Sequence, residues 1–257
     1  MPPAEVPAIR SAFRDAAAGF LHLVFPTPCH VCERPLGRGR HSALCRACWD
    51  ALERVAQAGC HRCGWPFPAA AAAGGVERPL CQRCRETHDR FEAARAVLLY
   101  RERGVARAAI LLCKHGGRLG LLRHLGALLA AEAPAELMRM TWDAAVPVPL
   151  HWRRRWRRGF NQAEALARAV GRRHGIPVER RCLVRVRATP PQHGDAAARR
   201  RNVLNAFAVR HAERIAGKRL LLVDDVFTTG ATANACAAAL LAAGAVAVGV
   251  LTLARVE

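Results

Sequence analysis

Lysine is almost missing from this 257-residue chain: Lys114 and Lys218 are the only two, and the other cations among its 40 are arginines. Carboxylates are half as many, 20, which leaves a formal charge of +20 and excludes a charge-balanced surface. Such an excess directs attention to an intrinsically acidic partner, either nucleic acid or a phosphate-rich ligand. Arginine bias with heavy alanine usage is also what a GC-rich genome produces, so the distribution of charge weighs more than its total. Before the first cysteine there is no basic start, apolar core and small-residue cleavage site, which argues against reading the 11 cysteines as a secreted disulfide framework. They are expected reduced, in a cytoplasm. Residues 226–254 carry no charge, yet Thr228, Thr229, Gly230, Asn234, Gly244 and Gly249 interrupt them. No transmembrane segment is expected there, but a buried helix and then a buried strand. With 52% apolar residues the chain can bury a core, and its length allows two or three domains.

The charge is focused. Between residues 150 and 219, 18 arginines and Lys218 face only Glu164, Glu179, Asp195 and Glu213, so 15 of the 20 net charges fall in about a quarter of the chain. Trp152, Trp156 and Phe160 interleave with Arg153, Arg154, Arg155, Arg157 and Arg158. Aromatics among cations suit a single-stranded backbone with stacked bases, which marks Arg153, Arg155 and Arg157 as candidate nucleic-acid contacts. Solvated surface arginines, and an aromatic stripe at spacing four packed on a core, are the two other readings.

Three parts are expected: an amphipathic helix and lead-in at 1–28, a cysteine-rich domain at 29–90, and an α/β domain at 91–257. In the first, Phe13, Ala16, Ala17, Phe20, Leu21 and Val24 recur at helical spacing. Packing on a neighbouring domain and contact with the inner face of a membrane are both open to that helix. In the second, four Cys-x-x-Cys pairs stand in order: Cys29/Cys32, Cys45/Cys48, Cys60/Cys63 and Cys81/Cys84. Two intervening residues let both thiolates of a tight turn face one tetrahedral Zn²⁺, and two such knuckles close a four-sulfur shell. Two structural Zn²⁺ in sequential ribbons are therefore expected, with a cross-braced pairing as the alternative. The segment holds few large aliphatics, so zinc is expected to supply folding energy, and its core is expected to be separate from that of the α/β part. Residues 69–75 read as a small-residue loop. Cys113, Cys182 and Cys236 read as buried inert thiols.

From about residue 93, apolar strands alternate with helical stretches, which predicts a mainly parallel sheet with helices on both faces. Helices are expected from 105 toward 114, over 119–132, from 162 to about 174, and over 232–243. Strands are expected at 144–148, 183–186, 206–209, 219–223 and 246–253. The stretch Leu220-Leu-Leu-Val-Asp224-Asp225-Val-Phe-Thr228-Thr229-Gly230-Ala231-Thr232 carries the chemistry. A buried strand delivers two carboxylates to the carboxyl edge of the sheet, where ligands of open α/β sheets bind. A small-residue loop then opens a helix whose free N–H groups favour a phosphate. Carboxylates are poor neighbours for a phosphate, so a ligand carrying both hydroxyls and a phosphate, such as a ribose 5′-phosphate, explains the pair best. Two aspartates that merely cap a helix would leave Thr-Thr-Gly unexplained.

That stretch resembles the phosphoribosyl pyrophosphate signature of type I phosphoribosyltransferases. Val146-Pro-Val-Pro149-Leu150, then Arg154, Arg158 and Gly159-Phe160-Asn161-Gln162, and the later Thr189, Gln192, Arg199, Asn202 and Phe207, resemble the ComF/GntX family. The resemblance implies a type I phosphoribosyltransferase-like fold preceded by a small zinc-ribbon domain. It implies that Asp224 and Asp225 hold ribose hydroxyls and help place Mg²⁺, while residues 228–232 cradle the 5′-phosphate. Pro149, Leu150 and His151 would form the pyrophosphate loop, with Arg154 and Arg158 neutralising the diphosphate. Residues 188–201, with Gln192, Arg199 and Asn202 in or beside them, would form a mobile loop, and Lys114 matches a lysine expected before glycine. The family also implies use of imported single-stranded DNA in natural competence. An active transferase of unknown acceptor, and a zinc-dependent adaptor for a DNA helicase or membrane DNA channel, are the alternatives.

Overall fold

A computed structural model describes residues 28–36, 43–56, 58–67, 79–115, 117–187, 203 and 205–257. The amphipathic stretch at 13–24, the small-residue stretch at 69–75, and Gln192, Arg199 and Asn202 lie outside the described residues. The strands, in chain order, are β1 (Ala94–Leu99), β2 (Ala144–Pro147), β3 (Leu183–Arg185), β4 (Phe207–Val209), β5 (Arg219–Phe227) and β6 (Ala247–Arg255). The helices are α1 (Arg46–Asp50), α2 (Gln82–Glu86), α3 (Val105–His115), α4 (Leu119–Ala131), α5 (Ala135–Met138), α6 (Trp152–Arg158), α7 (Gln162–His174) and α8 (Ala231–Ala242). No helix among the described residues is long and apolar enough to cross a membrane.

The main sheet has the order β1-β6-β5-β2 with every neighbouring pair parallel. Its central strands are covered on both faces, and so read as near-continuous apolar runs. Side chains alternate along them with period two. Leu221 and Val223 join Leu251 and Leu253 in a cluster with Ile110 of α3, Leu125 of α4 and Leu166 of α7. Leu220 and Leu222 join Val248 and Val250 in a second cluster with Cys236 and Leu240 of α8. Burying each such leucine contributes about 1.5–3 kcal/mol. Gly249 lets the Trp142 ring lie directly on β6, where any Cβ would collide with it, and the Trp142 indole N–H donates to Leu137 O at 2.9 Å.

Two expectations change. Strands β3 and β4 do not join the parallel sheet; they pair antiparallel with each other, Leu183 opposite Val209 and Arg185 opposite Phe207. Each has three residues with one buried and two half-buried side chains, a pattern that needs only one covered face. The cysteine-rich part also lacks a separate core. Cys29, Leu44, Cys48 and Leu52 belong to the first apolar cluster, and Cys60, Cys63 and Cys84 to the second. The backbone is continuous across the junction as well: Val55 N donates to Val97 O and Leu99 N to Glu53 O, both at 2.9 Å, so the link between the two cysteine clusters covers the open edge of β1. A segment with so few large aliphatics buries what it has by lying on the α/β part.

Candidate functional site

Sulfur atoms gather in two places. Cys29, Cys32, Cys45 and Cys48 bring their Sγ atoms within 4.8 Å of one another, and Cys60, Cys63, Cys81 and Cys84 do the same. The pairing is therefore sequential, not cross-braced. Each site joins a hairpin knuckle, closed by Cys29 N to Arg34 O at 2.7 Å or Cys60 N to Trp65 O at 2.8 Å, to a knuckle that opens a short helix, α1 after Cys45 or α2 after Cys81. Four thiols this close cannot all ionise unaided. The hydrogen bond with Cys63 takes Cys60 down to about 3, whereas burial pushes Cys84 up to about 12. In the first cluster burial opposes ionisation of Cys29, but bonds from the backbone at Cys32, Cys45 and Val31 prevail and bring it to about 6. The Sγ separations of 3.5 Å for Cys32 and Cys45 and 3.7 Å for Cys63 and Cys81 are close to the roughly 3.8 Å of a tetrahedral shell with Zn–S of about 2.3 Å. Both Cys₄ sites fit a zinc ion.

A cavity of about 260 Å³ opens at the carboxyl ends of β2 and β5. Asp224, Asp225, Thr228, Gly230 and Thr232 line it from β5 and the start of α8; Pro149, Leu150, Arg154 and Arg158 line it from the loop after β2 and from α6. Strand β5 runs on to Phe227, beyond the expected end at 223, so both carboxylates lie within the strand and alternate across it, with Asp224 in register with Thr252 of β6. Asp225 Oδ2 accepts from Lys114 Nζ of α3 at 2.9 Å. Burial alone would lower the Lys114 pKa, but the Asp225 carboxylate outweighs it and the net shift is upward. Burial, reinforced by the Asp225 charge, pushes Asp224 up to about 7, although its Oδ1 accepts from Asp225 N at 2.8 Å.

Gly230 caps α8 with φ of 75°, a left-handed conformation that favours glycine. Thr229 Oγ1 accepts from Ala231 N at 3.4 Å, and neither Thr229 nor Ala231 lines the cavity. His151 is also outside it: the buried ring caps α6, its Nδ1 accepting from Arg153 N at 3.4 Å. Asn161 positions α7 by accepting from Ala163 N at 3.2 Å and donating to Val148 O at 3.0 Å, and with Gln162 it completes the cavity wall. Gln162 Oε1 accepts from Arg158 at 3.2 Å, which aims that guanidinium. Tyr100, Arg185 and Thr252 also line the cavity and were not foreseen, because each lies on a strand or strand end with no local motif around it. The composition is coherent: a carboxylate pair, hydroxyl and amide donors, and the cations Lys114, Arg154, Arg158 and Arg185 around one space.

Helix α6 settles what its aromatics do. None of its residues is buried, and Trp152 and Trp156 are 64% and 84% exposed. They form no core stripe. Phe160, beyond the Gly159 cap, is the one that packs on the first apolar cluster. Arg153 lies over the Trp152 ring at 5.2 Å, and Arg155 reaches Glu164 at 3.6 Å while remaining 60% exposed.

Residues 20–85 match the family model described as a double zinc ribbon domain. The chain is 33% identical over 242 residues to the DNA utilization protein YhgH of Salmonella typhi, a match covering 91% of this chain and 99% of that protein. It is 43% identical over 94 residues to Competence protein F of Haemophilus influenzae, covering 36% and 41% of the two. Among solved structures it is similar to an orotate phosphoribosyltransferase of Mycobacterium tuberculosis H37Rv in complex with Fe(III) dicitrate, at 20% identity and a TM-score of 0.33, over 56% of this chain and 66% of that one. With a relative matched along nearly its whole length and a double zinc ribbon ahead of a parallel α/β sheet, the chain belongs to the ComF family.

Proposed function

We propose that the protein binds phosphoribosyl pyrophosphate with Mg²⁺ and acts in the use of imported single-stranded DNA. The observation that carries the first half is the meeting, in one cavity, of the Asp224/Asp225 pair, the Thr228–Thr232 loop and the cations Lys114, Arg154 and Arg158. The carboxylates suit ribose hydroxyls, the loop and the start of α8 suit the 5′-phosphate, and Arg154 and Arg158 suit the diphosphate. The oxygen-only pair also suits Mg²⁺, which takes one or two carboxylates and completes its shell with substrate phosphates. The second half is supported by relatives named for DNA utilization and competence, and by the exposed Trp152 and Trp156 among the arginines of α6.

Titration of phosphoribosyl pyrophosphate with Mg²⁺ into the full chain tests the first half: saturable binding is expected in the wild type and none in Asp224→Ala with Asp225→Ala. Binding by the double variant would refute the assignment. Turnover is a second reading, favoured by the cations that would stabilise a departing pyrophosphate; release of pyrophosphate in the presence of an acceptor decides it. The division at 28/29 and 90/91 and a cytoplasmic location complete the proposal. The thiol clusters support a reducing compartment.

A further inference from the structure

The second sulfur cluster touches the phosphate loop. Arg83 lies on α2 between the ligand residues Cys81 and Cys84, and its Nη1 donates to the backbone oxygen of Thr229 in the loop that opens α8. Its Nη2 meets Asp89 Oδ2 at 3.4 Å, and its guanidinium lies 5.9 Å from the centre of the Phe227 ring at the end of β5. Two neighbouring ties run the same way. Arg90 N donates to Asn234 Oδ1 of α8 at 2.6 Å, and the buried Arg255 donates to Cys63 O at 2.8 Å while lying 5.7 Å from the same Phe227 ring. A five-residue helix such as α2 does not hold its place by its own hydrogen bonds, so the position of Arg83 depends on the closed sulfur shell around it.

We propose that Arg83 is a positioning residue for the phosphate loop, and that the second Cys₄ site thereby sets the loop's readiness to bind an anion. The mechanism is the planarity of one peptide. In a trans peptide the C=O and the following N–H point in opposite directions. By holding the Thr229 carbonyl on the ribbon side, Arg83 turns the Gly230 N–H away from the ribbon; Gly230 lines the cavity and Thr229 does not. Released from Arg83, the carbonyl is free to rotate toward the cavity and present a negative dipole where the phosphate would sit. The left-handed Gly230 makes such a rotation inexpensive on that residue's own account. In its present pose the residue lies against both side chains of the tie, since a Cβ there would meet Phe227 Cζ at 2.8 Å and Arg83 Nη2 at 3.3 Å.

This inference rests on reading the cavity as a ribose-phosphate site, and two probes separate its failure from the failure of that reading. Ribose 5-phosphate reports on the loop at 228–232, whereas inorganic pyrophosphate with Mg²⁺ reports on Arg154 and Arg158. Each is titrated calorimetrically into the full, zinc-replete chain as wild type, Arg83→Ala and Arg83→Lys, with zinc content measured on the same samples. Arg83→Ala is expected to keep two zinc ions and to bind ribose 5-phosphate about tenfold or more weakly, with pyrophosphate affinity within about twofold of wild type. Arg83→Lys, which keeps one charged donor, is expected to fall between; should the alanine variant lose zinc, the lysine variant carries the comparison. Unchanged ribose 5-phosphate binding in a zinc-replete variant overturns the inference and leaves the cavity reading intact. Equal weakening of both probes assigns Arg83 a general structural role and overturns it too. Wild-type protein that binds neither ribose 5-phosphate nor phosphoribosyl pyrophosphate overturns the cavity reading and the inference with it.

Discussion

In the first sulfur cluster Cys32 is exposed and Cys45 half-buried, whereas in the second Cys60, Cys63 and Cys84 are buried and only Cys81 is half-buried. The ligand chemistry is the same in both. What differs is the embedding: the first cluster shares its apolar surroundings with α3, α4 and α7, while the second lies against β5, α8 and the loop that lines the cavity. A repeated metal motif thus does two jobs according to what it packs on. One packs on the helical layer, and the other also borders the cavity.

The largest expected effect puts that contrast at risk directly. Cys63→Ser removes a buried ligand from a site whose metal contributes on the order of 10 kcal/mol, and a fall in Tm of roughly 10 °C or more is expected. Cys32→Ser, at an exposed ligand of the other site, should cost less than half as much. Each variant is checked by elemental zinc analysis and calorimetry; equal falls would dissolve the distinction between the clusters. Because the cores are shared, neither variant should leave an α/β part that melts as in the wild type.

Next comes ligand coupling. A saturating ligand at about 100 times its Kd stabilises by about 2.7 kcal/mol, so phosphoribosyl pyrophosphate with Mg²⁺ should raise Tm by several degrees. Hydrogen exchange should then slow at α2 and not at α1. Asp224→Ala with Asp225→Ala should abolish both responses at unchanged zinc content, and protection at both helices alike would show that the two clusters communicate with the cavity equally.

Helix α6 offers a control that lies outside either cluster. If it tracks a nucleic-acid backbone, single-stranded DNA affinity should fall by roughly 0.7 log unit per log unit of salt for each phosphate contact. Arg155→Ala with Arg157→Ala should then lower the slope by about 1.4 and leave zinc release from both clusters unchanged. An unaltered slope would return these arginines to plain solvated surface.

The smallest effect is one of pH. The Asp224 pKa is raised by burial, and next by Asp225, from 3.8 to about 7. The fold therefore favours the protonated form, and the stability tied to it is present at low pH and is lost as pH rises through about 7. Asp224→Asn should gain on the wild type between pH 6 and pH 8, by roughly 2–4 °C in Tm without ligand. A difference that stays flat, or runs the other way, would show the carboxylate already ionised in the fold. The same scan should leave the contrast between Cys63→Ser and Cys32→Ser in place.

Much of this is legible in the amino-acid sequence. Regular Cys-x-x-Cys spacing predicts closed sulfur shells because two intervening residues leave both thiolates on one turn. The helices at 105–115, 119–131 and 162–174 follow from apolar periodicity and from end signals such as Asn161 and Gly175. The acidic pair and the small-residue loop after it are local in the chain, and so is their chemistry. Side-chain neighbours from distant segments are different, since no local pattern encodes them. Exposure of Trp152 and Trp156, separation of β3 and β4 from the main sheet, and the arrival of Arg83 and Arg185 at the carboxyl edge of that sheet were decided by packing alone, whereas sequential pairing of the knuckles was the expected arrangement and packing settled it against the cross-braced one. Arg83 and Thr229 are 146 residues apart, and only the closing of the sulfur shell against the sheet brings a guanidinium from one to a carbonyl of the other.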